Sequence, residues 1–269
     1  VPEVVFVLSS EKNPNIAAVT TIKRLYPSTY VIARATDRIS LGMLEQAGAD
    51  IILYPQEVFA RTAVHHVRKL HASRLAHRLY QYLSEMEGTM GVVAHTNPDP
   101  DSISSAMALC AMGYEASEGR LKCRILYDGN VGHEENRAFV NLLDIRMEKI
   151  TPEIISECNY LAIVDAPSPG QNNALTPETH VNIIIDHHET GDQSLNANFV
   201  DIRPAMGATA SIMTQYLQEL DISVDTKVAT ALLYGIRADT REFRRNTSPQ
   251  DLNYASFLLP LTDSVLLEK

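Results

Sequence analysis

No apolar run in these 269 residues approaches the roughly 20 needed to span a bilayer, and no signal-peptide pattern opens the chain. Cysteine is scarce. Cys110, Cys123 and Cys158 lie far apart and form no CxxC pair, which argues against a disulfide framework or a zinc ribbon and suits buried packing in a reducing compartment. A cytoplasmic protein is expected. Basic charge is also in short supply, with 23 Lys and Arg against 33 Asp and Glu for a net charge of −10. A sequence-blind grip on long duplex DNA needs many phosphate-neutralising side chains, and the charge argues against it. A short nucleotide stays open, because bound metal ions invert the local field. There is no internal repeat, low-complexity tract or Pro/Gly-rich linker. What is present is an ordinary globular composition, 45% hydrophobic and 21% charged, long enough for one large domain or two smaller ones.

The first fifty-odd residues alternate apolar runs with helical spacing. Val4–Leu8, Thr29–Ala33 and Asp50–Tyr54 read as strands, and Asn15–Leu25 and Asp37–Gln46 as helices, with Gly48 as a stop. Such alternation predicts a parallel sheet of βαβ units. The segments VVFVLSSEKNPNIAAV and YVIARATDRISLGMLEQAGADIILYPQEV resemble the second half of a nucleotide-binding domain of the RCK (Trk N-terminal, potassium-conductance-regulator) type. That family places its Gly-rich turn and ribose-binding acid in an earlier βαβ unit, so NAD or ATP binding is not carried over to residues 1–55. A partial Rossmann-like module used for packing or dimerisation is the other reading. Residues 56–88 read as a long linker helix carrying His65, His66, His71 and His77. No acid or cysteine sits beside these histidines at ligand spacing, so a solvated face is expected.

From Met90 the α/β rhythm returns, with strands expected at Met90–Ala94, Lys122–Tyr127, Tyr160–Val164 and Val181–Ile185, and a mainly helical pattern after Phe199. Four acidic or histidine clusters lie at or beside the C-terminal ends of apolar elements. In an open parallel sheet those ends converge on one crevice. His95, Asp99 and Asp101 occupy HTNPDPDS, where prolines stiffen the loop and Ser102 is placed to cap the following helix. Hard oxygens with one imidazole suit manganese, magnesium or iron, while a capped helix after an Asn/Asp/Pro turn is the plainer reading. Asp165 ends YLAIVD, and a loop-bonding carboxylate would serve equally there. Asp186, His187 and His188 follow VNIII, where one imidazole is able to reach a metal and its neighbour a ligand, with Asp186 fixing a tautomer. Asp239 sits where an apolar helix runs out, among Arg237, Arg241, Arg244 and Arg245. Those arginines form either a phosphate-binding edge or a solvated basic helix end.

Taken in order, HTNPDPDS, VDAPSP, DHH, GATAS and GIRADTREF are similar to the DHH phosphoesterase superfamily over roughly residues 89–260, which makes the expected architecture α/β, a parallel-sheet DHH phosphoesterase domain at 89–269 behind the Rossmann-like module and linker helix. The resemblance implies His95 and Asp99 on one metal, Asp101, His187 and Asp239 on a second, and Asp165 bridging them. It implies His188 on the scissile phosphate, Asp186 as its support, and two divalent ions, manganese first and magnesium as the alternative. The implied activity is hydrolysis of phosphodiester bonds in a short oligonucleotide or cyclic dinucleotide; Arg237 and Arg241, read from their own phosphate-matching chemistry, are the expected substrate contacts. A pyrophosphatase or polyphosphatase is the enzymatic rival, and a non-catalytic nucleotide sensor linked to ion transport is the rival of another kind. Pro100 stands where many members carry Gly. No Gly-rich, His-containing substrate segment precedes Lys269, so a fragment of a longer protein is expected; a homodimer is left open.

Overall fold

The computed structural model describes residues 2–190 and 195–267, without the side chains of His65, Arg68, Ser264 and Leu267. Two compact units divide the chain, Val1–His71 and Ala72–Lys269. The first contains β1 (Val4–Val7), α1 (Lys12–Leu25), β2 (Tyr30–Arg34), α2 (Arg38–Gln46) and β3 (Ile51–Leu53), with all strands parallel in the order β1-β2-β3. Asp37 starts α2 with a reciprocal capping box to Ser40. Alternation sends Val7, Val31 and Ala33 into a small core with Val19 and Leu44. The opposite strand positions Val4, Phe6, Tyr30 and Ile51 are exposed, although parallel sheets are ordinarily covered on both faces. The helix α3 (Pro55–Ser84) follows, and the change of unit falls inside it.

The second unit runs β4 (Gly88–Val93), α4 (Pro100–Ala116), β5 (Leu121–Tyr127), α5 (Glu134–Leu142), β6 (Glu148–Lys149), α6 (Pro152–Ser156), β7 (Tyr160–Val164), β8 (Val181–Asp186), β9 (Ala197–Ile202), α7 (Thr209–Glu219), α8 (Thr226–Asp239) and α9 (Pro249–Leu258). Its six strands are all parallel in the order β6-β5-β4-β7-β8-β9. From β4 the chain builds outward to one edge through β5 and β6, then returns to lay β7, β8 and β9 on the other side. The β4/β7 pair is therefore the topological switch point, where such sheets open a crevice at their C-terminal ends. Met90, Val92, Ala162, Val164, Ile183 and Ile185 face the main core with α4, α7, α8 and α9, while Val93, Leu126, Ile163 and Ile184 face a smaller one beside Ile154 and Ile155.

Three details differ from the sequence reading. The helix expected from Ser102 begins at Pro100, because Asp99 is its N-cap and accepts from Ser102 N at 3.0 Å. The Ser102 hydroxyl instead accepts from His95 N at 3.2 Å. The stretch expected to turn helical after Phe199 first completes β9, whose polar Asn198 and Asp201 break its apolar signal. Among the described residues no helix is long and apolar enough to cross a membrane.

Helices α4 and α8 meet at Gly235. A Cβ there would collide with Ser104 Oγ and come within 3.0 Å of the Pro100 carbonyl oxygen and 3.2 Å of Asp101 Cα. Gly235→Ala is expected to cost about 1–3 kcal/mol, the range for overpacking a filled interior, and to displace Asp101 with it. A urea midpoint equal to wild type would show that the interface yields freely.

Candidate metal centre

Each strand that flanks the switch point delivers a side chain into the same crevice. Beyond β4, the His95 Nδ1–H donates to the Thr96 carbonyl at 2.9 Å. That hydrogen bond fixes the tautomer and leaves Nε2 free to act as a donor atom. It lies 3.4 Å from Asp99 Oδ1 and 3.6 Å from Asp165 Oδ2. Asn97 takes a positive φ of 57° at the apex of the loop, and its Oδ1 accepts from Asn130 N at 2.9 Å. Gly129 lets this loop approach, since a Cβ there would strike Asn97 Oδ1.

Asp101 is buried in the first turn of α4. Its carboxylate accepts from Thr209 N at 2.8 Å and Ala210 N at 2.7 Å, so the N-terminus of α7 steadies the charge. At the end of β7, Asp165 also has a positive φ, 60°, a region that Asp tolerates better than most residues. Its Oδ1 accepts from Thr209 Oγ1 at 2.9 Å and lies 3.5 Å from His187 Nε2, while Oδ2 faces His95. The two oxygens of one carboxylate thus face two different imidazoles.

Asp186 ends β8 fully buried. Its Oδ1 accepts from His187 N at 2.8 Å, His188 N at 3.2 Å and the His188 Nδ1–H at 2.8 Å. The His187 Nδ1–H donates to the Met206 carbonyl at 3.2 Å, which turns Nε2 inward. That nitrogen is buried with no hydrogen-bond partner among the described residues. It sits 3.4 Å from Asp239 Oδ2, 3.5 Å from Asp165 Oδ1 and 3.9 Å from Asp101 Oδ2. His188 stands 4.3 Å away, ring to ring, and is more exposed.

The electrostatics carry the mark of a cation site. Burial pushes the Asp165 carboxyl up to about 7, reinforced by the Asp99 charge. Burial raises Asp101 as well, with Asp165 next, and raises Asp239. Burial opposes charge on His95, but its bond to Asp99 and the charges of Asp165 and Asp99 outweigh it and lift the imidazole to about 9. The same pairing holds Asp99 below the usual carboxylate range against its own burial. His188 is raised to about 9, chiefly by its bond to Asp186.

Ligand-capable atoms of His95, Asp99 and Asp165 lie within 4.8 Å of one another, as do those of Asp101, His187 and Asp239, and those of Asp165, His187 and His188. Two ligands about 2.1 Å from one ion stand about 3.0–3.5 Å apart, close to the separations above. Carboxylate oxygens, imidazole nitrogens and an orphaned buried Nε2 therefore fit divalent cations, and the oxygen majority suits manganese or magnesium.

All six residues expected to be ligands come together here, as do Asp186 and His188. Arg237 and Arg241 lie beside Asp239 on a neighbouring cleft. The Arg237 Nε–H donates to Glu242 Oε2 at 2.8 Å, while Arg244 and Arg245 are exposed. The histidines of α3 whose side chains are described belong to none of the metal-capable groups found among the described residues; the His65 side chain lies outside them. Sequence reasoning missed Thr209 and the amides of α7. Their signal was GATAS, small residues that let the helix end reach Asp101. It also missed His133, Asn136 and Tyr234 on the cleft.

The model of the DHH family N-terminal domain matches residues 89–236, and that of the TrkA-N domain matches residues 2–55. The chain is 33% identical to the uncharacterized protein MJ1633 of Methanocaldococcus jannaschii, over 98% of this chain and 57% of that protein. It is 32% identical to a probable manganese-dependent inorganic pyrophosphatase of Deinococcus radiodurans, over 64% of this chain and 54% of the relative. Against the cyclic-di-AMP phosphodiesterase GdpP of Bacillus subtilis the identity is 26%, over 75% of this chain and 32% of the relative. The chain thus spans little more than half of the first two relatives and about a third of the last. With the DHH model covering more than half of its residues, and a TrkA-N segment ahead of that match, the chain belongs to the DHH family.

Proposed function

We propose that the chain hydrolyses phosphoester bonds at a two-metal centre and that its substrate is a short nucleotide, an oligonucleotide of a few residues or a cyclic dinucleotide. The observation that carries this reading is the split of Asp165, with Oδ2 3.6 Å from His95 Nε2 and Oδ1 3.5 Å from His187 Nε2, two imidazoles that belong to different metal-capable groups. His95 and Asp99 would hold one ion, Asp101, His187 and Asp239 the other, and Asp165 both. Divalent ions, manganese first, supply Lewis acidity and lower the pKa of water when bound.

The remaining work falls to the protein's own groups. His188, whose imidazole is raised to about 9 chiefly by its bond to Asp186, would present its ring to a phosphoryl oxygen. Asp186 holds that ring and the His187 and His188 amides in place, a positioning role. Arg241, and Arg237 tethered by Glu242, line the edge where further phosphate would lie. The phosphoryl group needs positioning and charge neutralisation more than a covalent nucleophile.

Two rivals have support of their own. Likeness to a probable pyrophosphatase favours pyrophosphate, and the TrkA-N segment favours a sensor that binds without turnover. A panel of a diribonucleotide, a cyclic dinucleotide, pyrophosphate and an aryl phosphodiester, each with and without manganese, decides among them. Manganese-dependent cleavage of the nucleotides is the expected result. Cleavage of pyrophosphate alone would transfer the assignment to the first rival, and bound manganese without turnover on any substrate to the second.

A further inference from the structure

A cleft of about 490 Å³ opens between α5 and the C-terminal turns of α8, within the roughly 300–1,000 Å³ of ligand sites. Asp99 and Asp239, one from each proposed metal group, form part of its wall, so it is continuous with the metal centre. The rest of its lining includes His133, Asn136, Tyr234 and Arg241. Tyr234 is held by stacking on Phe139, with ring centroids 5.0 Å apart and planes at 27°. Asn136 is half-buried, yet its amide has no hydrogen-bond partner among the described residues, and the same is true of the His133 and Arg241 side chains. Three uncommitted polar groups and one immobilised aromatic ring thus converge beside the centre.

We infer that this cleft is the subsite for the nucleoside flanking the scissile phosphate. Tyr234 would contact the base, the Asn136 amide would read its edge, and Arg241 would contact the adjoining phosphate. The inference rests on the phosphoesterase reading and deepens it by selecting a substrate class. Charge makes the selection. Glu135 and Glu242 line the same cleft, and Arg237 is already paired with Glu242. A chain of several inorganic phosphates extending past Arg241 would be repelled by those carboxylates, whereas a neutral base would not. An amide also offers paired donor and acceptor atoms, which match a base edge and are surplus to binding pyrophosphate.

The test measures binding, so it is separate from turnover. The metal-loaded chain is titrated calorimetrically with 5′-AMP and with inorganic phosphate. Base contacts predict that 5′-AMP binds at least about tenfold tighter than phosphate, the scale of one base–aromatic stack. Asn136→Ala and Tyr234→Leu should each bring that ratio down about fivefold or more. Asn136→Ala removes no side-chain hydrogen bond among the described residues and guards against a folding defect in the tyrosine variant. Equal affinity for the two probes, no measurable 5′-AMP binding, or an unchanged ratio in Asn136→Ala would overturn the subsite. Failure of the phosphoesterase reading would show separately, as absence of hydrolysis across the substrate panel.

Discussion

Asp165→Asn should lower manganese-dependent hydrolysis by roughly 10³-fold, well beyond the 10–100-fold cost of losing an outer partner of a metal ligand. The asparagine is the informative replacement. It tolerates the positive φ that Asp165 adopts, and its amide oxygen still accepts from Thr209 Oγ1, now 2.9 Å away. Backbone and packing are kept, and only the charge shared between the two imidazoles is removed. The same change should make the metal-free protein more stable above neutral pH. A buried carboxyl raised to about 7 by its surroundings is ionised there at a cost on the order of a few kcal/mol, which the amide does not incur. Lost turnover together with a raised melting temperature in chelator is therefore the signature. Hydrolysis within tenfold of wild type would rule out a bridging role, and a lowered melting temperature would mean that Asp165 serves the fold instead.

Much of this centre was legible in the sequence for a physical reason. Parallel strands buried on both faces read as uninterrupted apolar runs, and their C-terminal ends must converge, so a carboxylate ending YLAIVD and an acid–His–His triplet ending VNIII point to one place. Asp239 was less legible, because a single acid at a helix end has many ordinary uses. Only α8 packing on α4 through Gly235 brings it to His187. The Thr209 and Ala210 amides were hard to read, since backbone donors carry no residue signature beyond the small residues of GATAS, and they reach Asp101 across more than a hundred positions. The cleft residues were hidden for a related reason. His133 and Asn136 precede and begin an unremarkable amphipathic helix, and meet Tyr234 only through the packing of α5 beside α8. In the first unit, periodicity predicted three parallel strands and two helices, and these are present. The exposed sheet face was not predicted, because a strand that alternates Val, Phe and Val reads as buried on both sides.

Raising the pH from 6 to 9 should destabilise the metal-free protein and strengthen its hold on metal. His95 has a folded value of about 9 against 6.5 for the free side chain. Its contribution to stability is therefore complete below about 6.5 and is lost as the pH rises through 9. Asp165, at about 7 against 3.8, has the same sign, with its contribution complete below about 3.8 and lost through 7. Asp99 is displaced downward and loses its contribution only under acid, outside this window. Every tenfold gain in proton affinity on folding is worth roughly 1.4 kcal/mol, so His95 and Asp165 together contribute several kcal/mol. A divalent ion takes the place of these protons. Its affinity should climb with pH by about tenfold per unit for each proton displaced, with His95 yielding one below about 9 and Asp165 another below about 7. Melting curves in chelator and in manganese across this range would show the first falling and the gap between them widening. Calorimetry in buffers of different ionisation enthalpy would count the released protons. A chelator curve that is flat or rises with pH, or metal uptake without proton release, would mean that these side chains do not share one cation centre.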